Sequence, residues 1–354
     1  MLVTIVAFLV IFSVVVFIHE LGHFAVAKLA GTKVEEFGFG YPPRLLRIAK
    51  RGDTEYTINA IPIGGFVRVV SDDNPTDPRS MARRSPWVRG AFLLAGPFMN
   101  VVLAALLFAL SFAMGVLMPV KGPGVGVYEV ALNSPAAQAG LQVGDTILAV
   151  DGQAVNSVPD LQQRIQARLD QDVALVIQRN GKVLSQPIHL VPRSVHPENE
   201  GAMGIVTGDP LQRVSHPIWQ AIGLGLQRTG LTAVSIIAGL VAMVRGEVPA
   251  DLTGPIGIAQ MTAQVAKSGL AQLVEWTAFL SINLFIINLL PFPALDGGRL
   301  VFVVLEILRG GRRIDPQKEG VVHLLGIVVL LGFFLVISYF DLARLVEGAR
   351  VIGP

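Results

Sequence analysis

Four long apolar runs divide the chain, and each can cross a hydrocarbon layer of ~30 Å, which takes roughly 20 residues of helix. Met1–Leu29 is uncharged until His19 and Glu20, Gly90–Val120 and Trp276–Leu295 carry no charge, and Val321–Phe340 holds only His323 as an ionisable group. A fifth run, Ile218–Val244, contains Arg228 and reads as an interfacial or re-entrant amphipathic helix. Between the second and fifth runs the pattern shortens. Gly122–Arg193 predicts a strand at 125–130, a short helix at 134–139, a strand at 146–150, a helix at 159–169 and a hairpin of 173–178 with 183–190. The hairpin turns at Asn180-Gly181, two residues that tolerate positive φ. The fold class is therefore a polytopic α-helical membrane protein of about four transmembrane helices with an inserted α+β domain. Its predicted parts are 1–120 with the first two spans, 121–195 as the inserted domain, 196–269 as a linker with the interfacial or re-entrant helix, and 270–354 with the last two spans.

Charge gives the expected orientation. Lys28–Arg89 contains 11 Lys or Arg residues, whereas the longer Lys121–His216 contains 7. Cytoplasmic flanks are enriched in these residues, so the first loop is expected inside, the inserted domain outside and the N-terminus outside. Arg299, Arg309, Arg312, Arg313 and Lys318 mark another inner loop after the third span. One net crossing must then separate the inserted domain from that loop, and Trp276–Leu295 supplies it. Met1–Ile18 lacks a basic flank and a following small-residue cleavage site, so it reads as a retained helix rather than a signal peptide. A net charge of +2 with no basic stripe excludes nucleic acid as a natural partner. With no cysteine, any metal must be held by His, Asp or Glu.

His19-Glu20-Leu21-Gly22-His23 fits His-Glu-x-x-His, which on a helix puts two imidazoles one turn apart on one face with a carboxylate beside them. Chance matches in a chain of this composition number about 0.003. Ionisable groups within an apolar helix mark function by default. A catalytic zinc generally takes three protein ligands. Asp296 is the candidate third ligand, at the inner end of the third span in Asn288-Leu289-Leu290-Pro291-Phe292-Pro293-Ala294-Leu295-Asp296-Gly297-Gly298. On spacing alone an Asp-Gly turn ending a helix accounts for it equally well.

The two motifs together resemble the site-2 protease family, bacterial single-PDZ type, similar to the regulator-of-sigma-factor proteases. That resemblance extends over essentially the whole chain. It implies Zn2+ held by His19, His23 and Asp296, with Glu20 as catalytic acid and base. Asn133-Ser134-Pro135-Ala136-Ala137, Gly140-Leu141 and Gly144-Asp145 give the inserted domain a resemblance to PDZ domains, with a peptide groove expected between 125–130 and 159–169. Gly38-Phe39-Gly40 and Ile61-Pro62-Ile63-Gly64-Gly65-Phe66-Val67 resemble the family's membrane-associated β-hairpin, Gly96-Pro97-Phe98-Met99-Asn100 the opening of its second helix, and Leu252-Thr253-Gly254-Pro255-Ile256-Gly257-Ile258 the segment before its third span. Gly64 and Gly65 would allow close backbone approach of a substrate strand. Asn283 and Asn288 are polar groups in an apolar span that could bind substrate backbone or an oxyanion. Bonding between helices competes with that reading for Asn283.

The implied activity is hydrolysis of peptide bonds in or near transmembrane segments, at the bacterial inner membrane, of membrane proteins already shortened by an outer cut. Anti-sigma factors and signal-peptide remnants are the substrate types the family suggests. The PDZ-like domain would bind peptide or exclude bulk. Two other classes compete: an inactive membrane adaptor, against which the intact motif set counts, and a metal or proton transporter, for which internal repeats are missing.

Overall fold

The computed structural model describes residues 2–70, 77–131, 133–197, 201–248 and 253–346. The uniformly apolar N-terminal run forms one helix, α1 (Leu2–Leu29), closed by Gly31 at φ 66°. A long hairpin follows, β1 (Val34–Arg51) against β2 (Thr54–Val69), turning at Gly52 with φ 62°. The second span, α2 (Pro86–Met114), starts on a proline and stops at Gly115 with φ 97°. The apolar residues beyond that glycine are strand β3 (Val116–Pro119), not helix. Two compact units result, one of residues up to Ser111 together with those from Ile218 onward, the other Phe112–Pro217.

In the second unit, β4 (Val125–Val130), α3 (Pro135–Gln138), β5 (Thr146–Val150), β6 (Gln153–Ala154), α4 (Val158–Gln166), β7 (Val173–Arg179), β8 (Lys182–Val183) and β9 (Ile188–Leu190) keep the predicted order, with the unpredicted β6 added and the second hairpin strand split into β8 and β9. Ser134 and Ser157 cap α3 and α4 by accepting the N–H groups of Ala137 and Asp160. Asn180 and Gly181 both have positive φ, at 51° and 78°. Val125, Val127, Ile147, Leu161, Leu175 and Ile177 fill the core.

Two further strands, β10 (Ile205–Gly208) and β11 (Leu211–Val214), extend this unit past the predicted boundary at 195. β10 pairs with β4 and β11 with β3, in a main sheet of order β10-β4-β5-β7-β8. β5 pairs with the start of β4, and β10 runs along its other edge from Gly126 to Val130. The groove beside α4 is accordingly bounded by β10, with Leu161 and Ile165 facing Met203, Ile205 and Thr207, and not by β4 as expected.

The remaining chain is helical: α5 (Ile218–Val244), α6 (Pro255–Ser268), α7 (Leu270–Leu289), α8 (Asp296–Leu308) and α9 (Pro316–Val346). Among the described residues, five helices are long and apolar enough to cross a membrane: α1, α2, α5, α7 and α9. The segment expected to be interfacial or re-entrant is one unbroken helix of 27 residues, about 40 Å long. It packs on α2 through Gly225, where a Cβ would lie 2.6 Å from the Ala109 nitrogen, and on α2 and α7 through Ala233, Ile236 and Leu240. Asp341 of α9 accepts the Gly257 N–H at 2.8 Å and the Gly254 N–H at 3.3 Å, fixing the start of α6. Leu252, also in the motif noted there, lies outside the described residues.

In the second unit, Asp145 is 1% exposed and is held by two Arg179 nitrogens at 2.7 Å. Arg179→Leu leaves that carboxylate with the Gln142 N–H and no countercharge, and is expected to cost about 2–3 kcal/mol. Limited proteolysis of the purified chain should then cut within Phe112–Pro217 at a lower temperature than in the parent; equal resistance would show the pair to be dispensable.

Candidate metal centre

Helices α1 and α2 cross without the usual spacing of side chains. A Cβ on Gly22 would lie 2.2 Å from the Ala95 oxygen. This close approach brings α2 over the face of α1 that carries His19 and His23, which are 6% and 5% exposed. Helical spacing by four residues sets both rings on that face.

The third group arrives at a break in the chain. Pro291 and Pro293 lack N–H groups to continue α7, and Leu290 adopts the extended ψ of 140° favoured before proline. The chain turns back and α8 begins at Asp296, so this residue opens a helix rather than ending one. Gly297 and Gly298 make the turn possible, since a Cβ on either would lie 2.3 Å or 2.2 Å from the oxygens of Leu290 and Phe292. Asp296 Oδ2 stands 3.1 Å from His19 Nε2 and 3.3 Å from His23 Nε2, and the two Nε2 atoms are 3.2 Å apart.

These separations suit one tetrahedral ion. Ligand bonds of ~2.0–2.1 Å place neighbouring donors about 3.3 Å apart. His23 Nδ1 lies 2.8 Å from the Phe92 carbonyl oxygen, to which it donates, leaving the Nε2 lone pair toward the other two donors. Glu20, half-buried on α1, accepts a hydrogen bond from the Val67 backbone. It lines a cleft of about 890 Å³ together with His23, Asp296, Val67, Arg68 and Val69.

The model of "Peptidase family M50" matches residues 7–333. The chain belongs to peptidase family M50. Two RasP relatives agree: the zinc metalloprotease RasP of Oceanobacillus iheyensis is 32% identical over 97% of this chain and 99% of its own. The regulator of sigma-W protease RasP of Bacillus subtilis is 30% identical over the same shares, 97% and 99%. The PDZ domain of a Listeria monocytogenes SdrC-like protein is similar at 23% identity, covering 25% of this chain and 93% of that domain, with a TM-score of 0.22. This M50 chain is thus a zinc metalloprotease of the site-2 protease family and a multi-pass membrane protein.

The M50 chain adds two site features to those legible in its motifs. A Cβ on Gly96 would lie 2.3 Å from His23 Nε2 and 2.7 Å from His19 Nε2, so the missing side chain is the space beside the donors. Asn100, fully buried on α2, sits with its amide 3.1 Å from His19 Nδ1, and its Oδ1 has no hydrogen-bond partner. Which amide atom faces the ring is set by the hydrogen-bond network. Turned about, Oδ1 accepts the His19 Nδ1–H, which satisfies the orphaned oxygen and frees the His19 Nε2 lone pair for the metal. Asn100 lay within a motif noted in the sequence, but a lone amide in an apolar run carries no signal of its own.

Other candidates sit elsewhere. Asn283 donates to the Phe279 carbonyl of its own helix at 2.9 Å, and Asn288 precedes the α7 break. Neither lines the cleft around Glu20 and Asp296. Gly64, at φ 70°, and Gly65 allow β2 to lie on α1, where Cβ atoms would meet Val16 at 2.4 Å and Phe17 at 2.9 Å. Ser13 Oγ reinforces this contact, accepting the Gly64 N–H and donating to the Pro62 carbonyl.

Gly96→Ala should abolish stoichiometric zinc binding by filling the space beside both Nε2 atoms. Gly90→Ala on the same helix is the control, because its Cβ would have ordinary contacts of 3.8 Å and 3.9 Å. Metal analysis after purification distinguishes them, and equal zinc in both would remove the donor cluster from consideration.

Proposed function

We propose that the chain is an endopeptidase that cuts peptide bonds in or near the transmembrane segments of membrane proteins, with zinc held by His19, His23 and Asp296. The observation that carries this reading is the meeting of two imidazole nitrogens and a carboxylate oxygen from segments 277 residues apart, at a cleft lined by His23, Asp296 and Glu20. Zinc, when bound there, supplies polarisation of the scissile carbonyl and a lowered water pKa. Glu20 takes a proton from the attacking water as its oxygen joins the carbonyl carbon. The same carboxyl then gives that proton to the departing nitrogen as the C–N bond breaks. The products are a new carboxylate and a new amine.

A helical substrate hides its amides in its own hydrogen bonds and must unwind to be cut. β2 belongs to a two-stranded sheet, and its Val67–Val69 end borders the cleft beside Glu20. An unwound substrate adds there as an extended strand. Gly64 and Gly65 serve by seating β2 on α1. The PDZ-like unit selects substrates through the groove between α4 and β10, favouring chains already shortened outside. Relatives that include a protease named as regulator of sigma-W support anti-sigma factors as one substrate class. Signal-peptide remnants are a second class with the same apolar character.

The proposed setting is the bacterial inner membrane with the PDZ-like unit extracytoplasmic. α1, α2, α7 and α9 cross, while α5 meets α2 at Gly225 and packs on α7 without a net change of side. Gly326 of α9 lies against Pro293 near the donor cluster, and Asp341 is 15 residues later, about 22 Å along the helix. The start of α6 is bonded to Asp341 and so belongs at the outer end of α9, the side on which α5 begins.

Glu20→Gln should retain zinc yet slow cleavage of a model transmembrane substrate by about 10²–10⁴-fold, whereas Asp296→Asn should weaken zinc itself. Undiminished cleavage by Glu20→Gln would refute the assignment. Because the chain has no cysteine, single replacements also report sidedness. Lys182→Cys and Glu247→Cys should react with an impermeant maleimide from outside, and Gly310→Cys only after permeabilisation. Protection of Glu247→Cys would make α5 a crossing.

A further inference from the structure

The bend from Leu290 to Leu295 determines where Asp296 stands, yet it has no regular helix to hold it. One of its residues is in an unfavourable conformation: Ala294 has φ 86°, a region that costs an L-residue roughly 1–2 kcal/mol. Such a conformation persists only where surrounding structure fixes it.

The fixing group comes from α9. The Ala294 N–H donates to His323 Nδ1 at 3.0 Å. His323 is 8% exposed, and its ring lies 5.4 Å from that of Phe302 on α8. One turn later, Gly326 lets α9 approach the bend, since a Cβ there would be 2.5 Å from the Pro293 oxygen. Because Nδ1 accepts, a neutral ring carries its proton on Nε2, which has no hydrogen-bond partner and lies 3.8 Å from Glu319 Oε1. The bonding role of the imidazole is thus its acceptor atom, aimed two residues ahead of Asp296.

We propose that His323 is a positioning residue for the metal centre: its Nδ1 clamps the Ala294 N–H and so holds Asp296 at the distance where it meets His19 and His23. This inference rests on the proposed zinc site. It gives a function to the only ionisable group in the last apolar run, which the cleavage chemistry does not use. Hydrogen bonds that orient ligands from a second layer commonly change metal affinity by about 10–100-fold.

Two substitutions separate acceptor from packing. His323→Phe keeps an aromatic ring against Phe302 and removes the acceptor, whereas His323→Asn places an amide oxygen near the Nδ1 position. Parent and variants, purified as full chains in detergent, are titrated with Co2+ while the visible absorption is followed, and cleavage of the model substrate is measured alongside. Expected for His323→Phe are about tenfold weaker Co2+ binding, equal to ~1.4 kcal/mol, an altered cobalt spectrum, and a fall in kcat with little change in KM. His323→Asn is expected to restore the parental spectrum and most of the affinity. A parental spectrum and affinity in His323→Phe would overturn the proposal, as would equal impairment of both variants. If His323→Phe does not fold, the Asn variant alone decides: a parental cobalt spectrum supports the acceptor role and an altered one refutes it. A parent that binds neither Co2+ nor Zn2+ would instead refute the zinc site, and this inference with it.

Discussion

Three lone-pair donors within about 3 Å of one another, inside an apolar helical bundle, repel unless a cation or shared protons lie among them. The arrangement around His19, His23 and Asp296 is governed by that constraint. Bringing the donors together requires two backbones to approach more closely than ordinary side chains allow. Gly22 provides this on α1, Gly96 leaves the space on α2, and Gly297 with Gly298 lets the chain double back after α7. Each glycine stands where a methyl group would collide with backbone or with a donor atom. The candidate metal centre is as much a product of absent side chains as of present ones.

Polar groups inside a bilayer are costly unless paired, and here the pairs connect different helices. Arg89 of α2 bonds Glu306 of α8, Ser111 of α2 donates to Glu275 of α7, and Trp276 of α7 donates to Thr262 of α6. Ser281 of α7 donates to the Asn100 carbonyl, beside the amide that faces His19. The helices that carry the donors are therefore joined by hydrogen bonds placed around the centre. Such bonds are individually modest, ~1 kcal/mol, but they select one relative placement of α2, α7 and α8. A catalytic metal site needs that placement.

The candidate centre was legible in the sequence because its residue types are rare in apolar runs and spaced by a helical turn. His19, Glu20 and His23 stand out for that reason, and the Pro-rich stretch before Asp296 marks a chain break. The strands of the inserted unit were readable where alternation and the Asn180-Gly181 turn set the register. β10 and β11 were not, because four-residue strands pair with partners 75 to 98 residues earlier and leave no periodicity. Ile218–Val244 was legible as a helix, but its packing on α2 and α7 was not, because the contact rests on Gly225 and on apolar residues whose partners lie in distant segments. Asn100 and His323 were hidden for a different reason: each acts through one hydrogen bond to a distant segment, and only the folded bundle brings those partners together.

Zinc K-edge X-ray absorption on the purified, zinc-loaded chain tests the central assignment most directly, because it reads the donors without depending on a substrate. The account predicts one zinc per chain, four-coordinate, with two imidazole rings at ~2.0–2.1 Å and the remaining ligands oxygen at ~2.0–2.2 Å. A third imidazole, a single imidazole, or a six-coordinate shell of oxygens would contradict the set of His19, His23 and Asp296.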